Sequence, residues 1–251
     1  MRKLLTLLLF AFPANAAIVN VQHTQFDHTG SVTSQALAYA SNVVANNLLI
    51  CAVRAGGVSE NTITVTDSIG NTWTGLTEQF VTDPGTLRIV YAINTTSAAN
   101  TVTVHIVSSS TIRMAILEYS GTATSSVLDA ENNAANGTGT ALAANSITPA
   151  QNNSLVIGAW AIGGTRTFTA GTNFTMEEQV PSGATLGKLG VEDWIQTTAT
   201  ATTAPMTIGG TEVWEEAIAV FKPSGGAAAD AGANKRQKLE QLDDFPGGMY
   251  L

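Results

Sequence analysis

The stretch Asn46-Asn47-Leu48-Leu49-Ile50-Cys51-Ala52-Val53 returns late in the chain as Asn152-Asn153-Ser154-Leu155-Val156-Ile157-Gly158-Ala159-Trp160. A glycine pair follows each copy, Gly56-Gly57 and Gly163-Gly164. Both runs are apolar almost without interruption, of strand length and bounded by turn residues, the pattern of a strand covered on both faces. The echo continues outward. Leu87 to Thr96 lies over Leu189 to Thr198, and Met114 to Tyr119 over Glu216 to Phe221. Matching segments in the same order predict two halves of one design. One half has an apolar face that it cannot bury by itself, whereas two halves laid face to face enclose a layer about 10 Å thick. The expected fold is all-β: an antiparallel, jelly-roll-like β-sandwich with an internal pseudo-duplication.

Short runs rich in Val, Ile and Thr, separated by Gly, Asn, Asp and Ser, extend this reading along the chain. Strands are expected at Ile18–Gln22, Val32–Tyr39, Leu48–Arg54, Thr62–Thr66, Leu87–Ile93, Thr101–Val107 and Ile112–Tyr119. Trp73 opens a further one after the turn Asp67-Ser68-Ile69-Gly70-Asn71, and Thr95–Asn100 and Ser108–Thr111 read as hairpin-like connections. Thr122 to Ala150 is polar and long enough to link the halves through a loop with one more strand. Residues 17–223 therefore read as a single domain. Ahead of them, Met1-Arg2-Lys3, the apolar run Leu4–Phe12 and Ala14-Asn15-Ala16 have the charge, length and small-residue ending of a signal peptide, so residues 1–16 are expected to be cleaved. Residues 224–251 form a Gly- and Ala-rich tail whose end carries four large apolar side chains, Phe245, Met249, Tyr250 and Leu251. These could dock on a neighbouring subunit by strand addition or pocket capture.

Without Arg2 and Lys3, the 11 basic residues fall to 9 against 19 acidic ones, a formal charge of −10. That balance disfavours nucleic acid and anionic lipid as partners. Cys51 is the only cysteine, so no intramolecular disulfide can form, and its apolar neighbours suggest an inert buried thiol.

The search for chemistry is mostly negative. The sequence has no G-x-S-x-G elbow and no phosphate-binding glycine loop. His23, Asp27 and His28 could in principle hold zinc or copper, but their spacing matches no ligand motif. His105 reads as a sheet-surface residue and Trp160 as core. Asp129, Glu131, Asn132 and Asn133 form an oxygen-rich stretch that could hold calcium, though without a regular calcium-loop frame. Acid pairs are worth weighing because glycosidases need two carboxylates across a sugar. The candidates are Glu118, Glu177, Glu178, Glu192, Asp193, Glu212, Glu215 and Glu216. On extended strands Glu192 shares a face with Trp194 and Gln196, and Glu216 with Trp214. Aromatic plates for sugar stacking could come from Trp73, Tyr91, Trp194 and Trp214, of which Trp73, Trp194 and Trp214 are the expected ligand-binding residues.

Asn46–Ile50, Val65–Trp73, Glu118–Gly121 and Thr169–Thr175 resemble segments in a loosely defined group of bacterial secreted and phage virion β-sandwich domains of unassigned function. The resemblance spans about residues 18–223 and rests on turns and strands, not on chemistry. It implies a surface-exposed or virion-exposed adhesive or structural module. Taken together, the sequence predicts a non-enzymatic exported structural or adhesive module without a cofactor, found at the cell surface or in the medium. Its partner would be itself or another surface protein, and it would not insert into a membrane once the leader is removed. Alternatives are a carbohydrate-binding module that recognises a glycan, a phage virion decoration or tail protein, and a glycoside hydrolase using Glu192 or Glu216.

Overall fold

The computed structural model describes residues 16–225 except Val58, Ala144 and Ala184, and the side chains of residues 133–135 are likewise left undescribed. Nearly all of the expected signal peptide, and the tail residues Phe245, Met249, Tyr250 and Leu251, lie outside the described residues. Among those described there is no helix. The first seven strands are β1 (Val19–Ala38), β2 (Leu48–Ala55), β3 (Ile63–Asp67), β4 (Thr74–Gly75), β5 (Gln79–Val81), β6 (Gly85–Ile93) and β7 (Thr101–Ser120). Six more follow: β8 (Leu128–Leu142), β9 (Ser154–Ile162), β10 (Phe168–Thr169), β11 (Thr175–Val180), β12 (Lys188–Gln196) and β13 (Met206–Phe221).

The strands form two antiparallel sheets, one of seven strands and one of six. The first runs β1-β7-β2-β6-β4, with β3 also on β7 and β5 also on β6. The second runs β8-β13-β9-β12-β11, with β10 also on β13. Strand for strand this is one topology used twice. Register makes the correspondence residue by residue. Cys51 pairs with Val90 and Ile116, while Gly158 pairs with Glu192 and Ile218. Leu48 pairs with Ile93 and Tyr119, and Leu155 with Ile195 and Phe221. The structural match thus sets Asn46 over Asn153, one residue from the match suggested by the paired asparagines. Both take the left-handed conformation, φ 70° and 60°, which Asn tolerates better than most residues.

Four expectations are corrected. The connectivity is not that of a jelly roll, because among the described residues each half of the chain stays within one sheet and no strand from one half joins the other's. Ile18–Gln22 and Val32–Tyr39 are parts of one 20-residue strand, β1, which bends through register shifts at Asn20/Gln22, His28/Val32 and Val32/Ser34. Likewise Ser108–Thr111 is no turn but the middle of β7, also 20 residues long. Thr95–Asn100 joins β6 to β7 without making a hairpin of them, since β2 lies between the two.

Side-chain alternation then builds three apolar layers. Leu48, Ile50, Ala52, Leu87, Ile89, Ala115 and Leu117 of the first sheet meet Leu155, Ile157, Ala159, Leu189, Val191, Ala217 and Phe221 of the second. The intervening residues point outward, yet they are also buried: Leu49, Cys51, Val53, Val90, Met114 and Ile116 in the first half, and Val156, Trp160, Ile162, Ile218 and Val220 in the second. This explains why β2 and β9 are buried at every position. Truncating Leu117 or Leu155 to Ala in the shared layer should cost about 2–5 kcal/mol in urea denaturation. Val107→Ala, at a side chain 74% exposed, should cost no more than about 0.5 kcal/mol. An unchanged denaturation midpoint for Leu155→Ala would contradict the shared layer.

Candidate functional site

The three tryptophans expected to bind a ligand do not meet. Trp73 is half-buried against the outer apolar layer of the first sheet. Trp194 and Trp214 belong to the outer layer of the second. Trp214 is buried edge-on to Trp160, with ring centres 5.6 Å apart, so it presents no open face. Trp194 leans edge-on to Phe174 at 5.5 Å. The other candidates disperse as well. Asp27 pairs with Arg113 at 2.8 Å, and His23 turns away from it toward β11. Among the described residues no group of His, Cys, Asp and Glu has the arrangement of a metal site. In the proposed calcium stretch Asp129 accepts the Ala150 N–H at 2.6 Å and Glu131 accepts the Thr77 N–H at 3.1 Å, while Asn132 donates to the Ser146 carbonyl at 3.2 Å.

Titratable groups concentrate where β1 meets β11, at one seam between the sheets. Tyr119 donates to Asp193 Oδ2 at 3.0 Å, and Asn20 Nδ2 donates to Glu177 Oε2 at 2.7 Å. His23 Nδ1 lies 2.9 Å from Glu178 Oε1, and its Nε2 lies 3.4 Å from Glu177 Oε2. Burial, reinforced by the neighbouring Asp193, pushes the Glu177 carboxyl up to about 7, and burial raises Asp193 too. These residues come from distant positions and four strands. Each acid is visible in the sequence, but only the topology brings them together.

A second set of acids is sealed inside. Glu192, Glu215 and Glu216 have no exposed surface. Burial lifts Glu192 to about 8, although it accepts the Gly171 N–H at 3.0 Å, and lifts Glu215 to about 9 against the pull of Arg54. Glu216 is raised well above the ordinary range, first by burial and then by Glu192, and neither of its oxygens meets a donor. Gly158 makes room for this arrangement: a Cβ there would lie 2.9 Å from the Ala204 Cβ and 3.3 Å from Glu192 Cγ. As placed, neither Glu192 nor Glu216 can touch a glycan. Glu118 is equally buried but fully partnered, accepting from Gln22 at 2.6 Å and from Val44 N and Asn47 at 2.7 Å.

At the other end of the shared layer two buried arginines cross from the first half. Arg113 donates to the Leu186 carbonyl at 3.2 Å, and the Arg54 guanidinium lies over Gly187. No protein-family model matches the chain, and neither a curated protein nor a solved structure does.

The buried acids carry a signed prediction. Each holds its proton in the folded chain well above the ordinary 4.5. Their contribution to stability is therefore complete below about pH 4.5 and is drawn down as pH rises, until the folded-state values are passed. Those values are about 7 for Glu177, 8 for Glu192 and 9 for Glu215. The melting temperature should fall steadily between about pH 6 and 9, and Glu215→Gln should flatten the upper part of that fall. A melting temperature that rises over this interval would refute the assignment.

Proposed function

We propose that this chain is an exported structural module that self-associates through its long free strand edges, with the C-terminal segment as a docking strand. The carrying observation is the pair of edge strands. Among the described residues, β1 is hydrogen-bonded in its sheet to β7 alone and β8 to β13 alone. They are 20 and 15 residues long, against a usual strand of about 5–6. Free edges of this length are templates for another strand, and proteins that stay monomeric usually guard them with Lys or Pro. Neither β1 nor β8 contains a Lys, Arg or Pro. β1 also exposes Val19, Val21 and Phe26. Its bulges twist the edge without charging it.

Export is supported by the residues around Ala16. Cleavage after it leaves Ala17 as the first residue, just ahead of Ile18, which is buried in the shared layer, and Val19, where β1 begins. The opposite terminus leaves the domain nearby, since Ser224 N–H donates to the Gly121 carbonyl at 2.8 Å and Gly121 lies against Ala17. After Gly225, 26 residues remain, enough to reach roughly 85 Å when extended. That span lets Phe245, Met249, Tyr250 and Leu251 reach the β1 edge of a neighbouring copy.

The test is light scattering and electron microscopy of the mature chain across a concentration series. The mature chain should form concentration-dependent oligomers. Val19→Lys with Val21→Lys should abolish them while preserving the circular dichroism spectrum, and so should deletion of residues 232–251. A wild-type chain that stays monomeric at high concentration, or oligomers indifferent to both changes, would refute the proposal.

A further inference from the structure

The shared topology makes the two seams of the sandwich comparable, and they differ in a telling way. Because Val90 corresponds to Glu192, Tyr91 corresponds to Asp193, and Tyr119 corresponds to Phe221. At the β1–β11 seam, Asp193 meets Tyr119, and Asn20, His23 and Glu177 fill the gap around them. At the related seam Tyr91 meets Phe221 edge-on, with ring centres 5.3 Å apart. There Glu131 of β8 reaches across to Thr77, accepting from its N–H at 3.1 Å and from its hydroxyl at 3.2 Å, and a recess of about 270 Å³ is left beside Tyr91.

We propose that this recess binds a neutral saccharide of one or two pyranose units, with Tyr91 as the stacking surface. The hydroxyl-bearing residues around it include Thr72, Thr74, Tyr91, Thr124, Ser125 and Ser126. Ile93 and Val127 supply an apolar floor, and the lining includes no charged residue. The lining offers no cation to a phosphate or carboxylate, and Glu131, the acid whose charge Tyr91 feels, is engaged with Thr77, whereas a sugar finds donors and acceptors around an apolar patch. The volume falls at the small end of ligand sites, which suits one or two rings.

The site is held ready. Tyr91 is fixed by Phe221 and by the cross-strand pairing of its backbone with Thr74. The rim from Thr124 to Ser126 is tied down on both sides. Ala123 N–H donates to the Lys222 carbonyl at 2.9 Å, Lys222 N–H donates to the Val127 carbonyl at 2.8 Å, and Lys222 Nζ reaches the Ser126 carbonyl at 3.0 Å. An aromatic face on a rigid rim loses little freedom when it binds. The recess lies away from the β1 edge on which the C-terminal segment would dock, while its rim runs into β8, so saccharide binding and oligomer size are read separately in the test.

The experiment is ligand-observed NMR and calorimetry of the full mature chain against a panel of neutral mono- and disaccharides, such as glucose, galactose, mannose, N-acetylglucosamine, cellobiose and maltose. At least one should bind, and Tyr91→Ala should weaken it ten-fold or more. Because Tyr91 also touches the core, Ser125→Trp serves as the second variant: it fills the mouth from an exposed position and should block binding while leaving the melting temperature and oligomer distribution unchanged. A panel with no binder, or binding indifferent to Ser125→Trp and lost instead on Trp194→Ala, would overturn the proposal.

Discussion

The apolar layer between the two sheets is the constraint from which the rest of the molecule follows. Leu48, Ile50 and Ala52 on β2 face Leu155, Ile157 and Ala159 on β9, and the rows on either side extend the same contact. Each large aliphatic side chain taken out of water contributes about 1.5–3 kcal/mol, and neither half can gain that alone. The opposite faces of β2 and β9 are also apolar, so each sheet must cover its own back. The 20-residue strands β1 and β7 meet that need in the first half. Their far ends, with β3 paired to β7 on the side away from β1, carry Val102, Val104 and Ile106 over the outer layer. In the second half β13 and β10 do the same with Met206, Ile208 and Phe168. Length in these strands is thus a consequence of two-sided burial, and long free edges come with it.

Within a common frame the halves have diverged side chain by side chain. Where the first half has Val90 and Met114 in its outer layer, the second has Glu192 and Glu216, both without exposed surface. The first half demonstrates that this position in the fold can be filled by ordinary apolar packing, so the acids are not a requirement of the architecture. At the shared layer Arg113 corresponds to Glu215. Arg54 and Arg113 come from one half and Glu215 from the other, which places Arg54 opposite an acid. Two first halves brought together would set arginine against arginine, a repulsion that favours pairing between unlike halves.

Much of this frame was legible in the sequence because it is written in apolar periodicity. The two continuous runs, the glycine pairs and the Ile93/Ile195 match all find their places. So do Gly70, which takes φ 78° in the expected turn, and Trp160 and Cys51, both fully buried. What could not be read were features that depend on strand length and on neighbours across the sheet. Ser108–Thr111 has the composition of a turn but runs on as strand, meeting β1 only where Ser110 lies opposite Val32 between two register shifts. Glu192 and Trp214 look like surface residues on alternating strands, and become buried only because distant segments close over the outer face. The seam of Asn20, His23, Tyr119, Glu177 and Asp193 has no sequence signature, since no two of its strands are neighbours in that part of the chain except β11 and β12. The hydroxyl recess has no signature for a similar reason: Tyr91 is one of the aromatic candidates in the sequence, but only the topology brings it beside Thr124–Val127.

Native-state hydrogen exchange tests the shared layer most directly. If the two sheets stand or fall together, the slowest amides of β2 and of β9 exchange through one global opening, with the same free energy and the same dependence on denaturant. Two separate classes, in which β9 and β12 open while β2 and β6 remain protected, would mean that each half is stable by itself and would contradict the account.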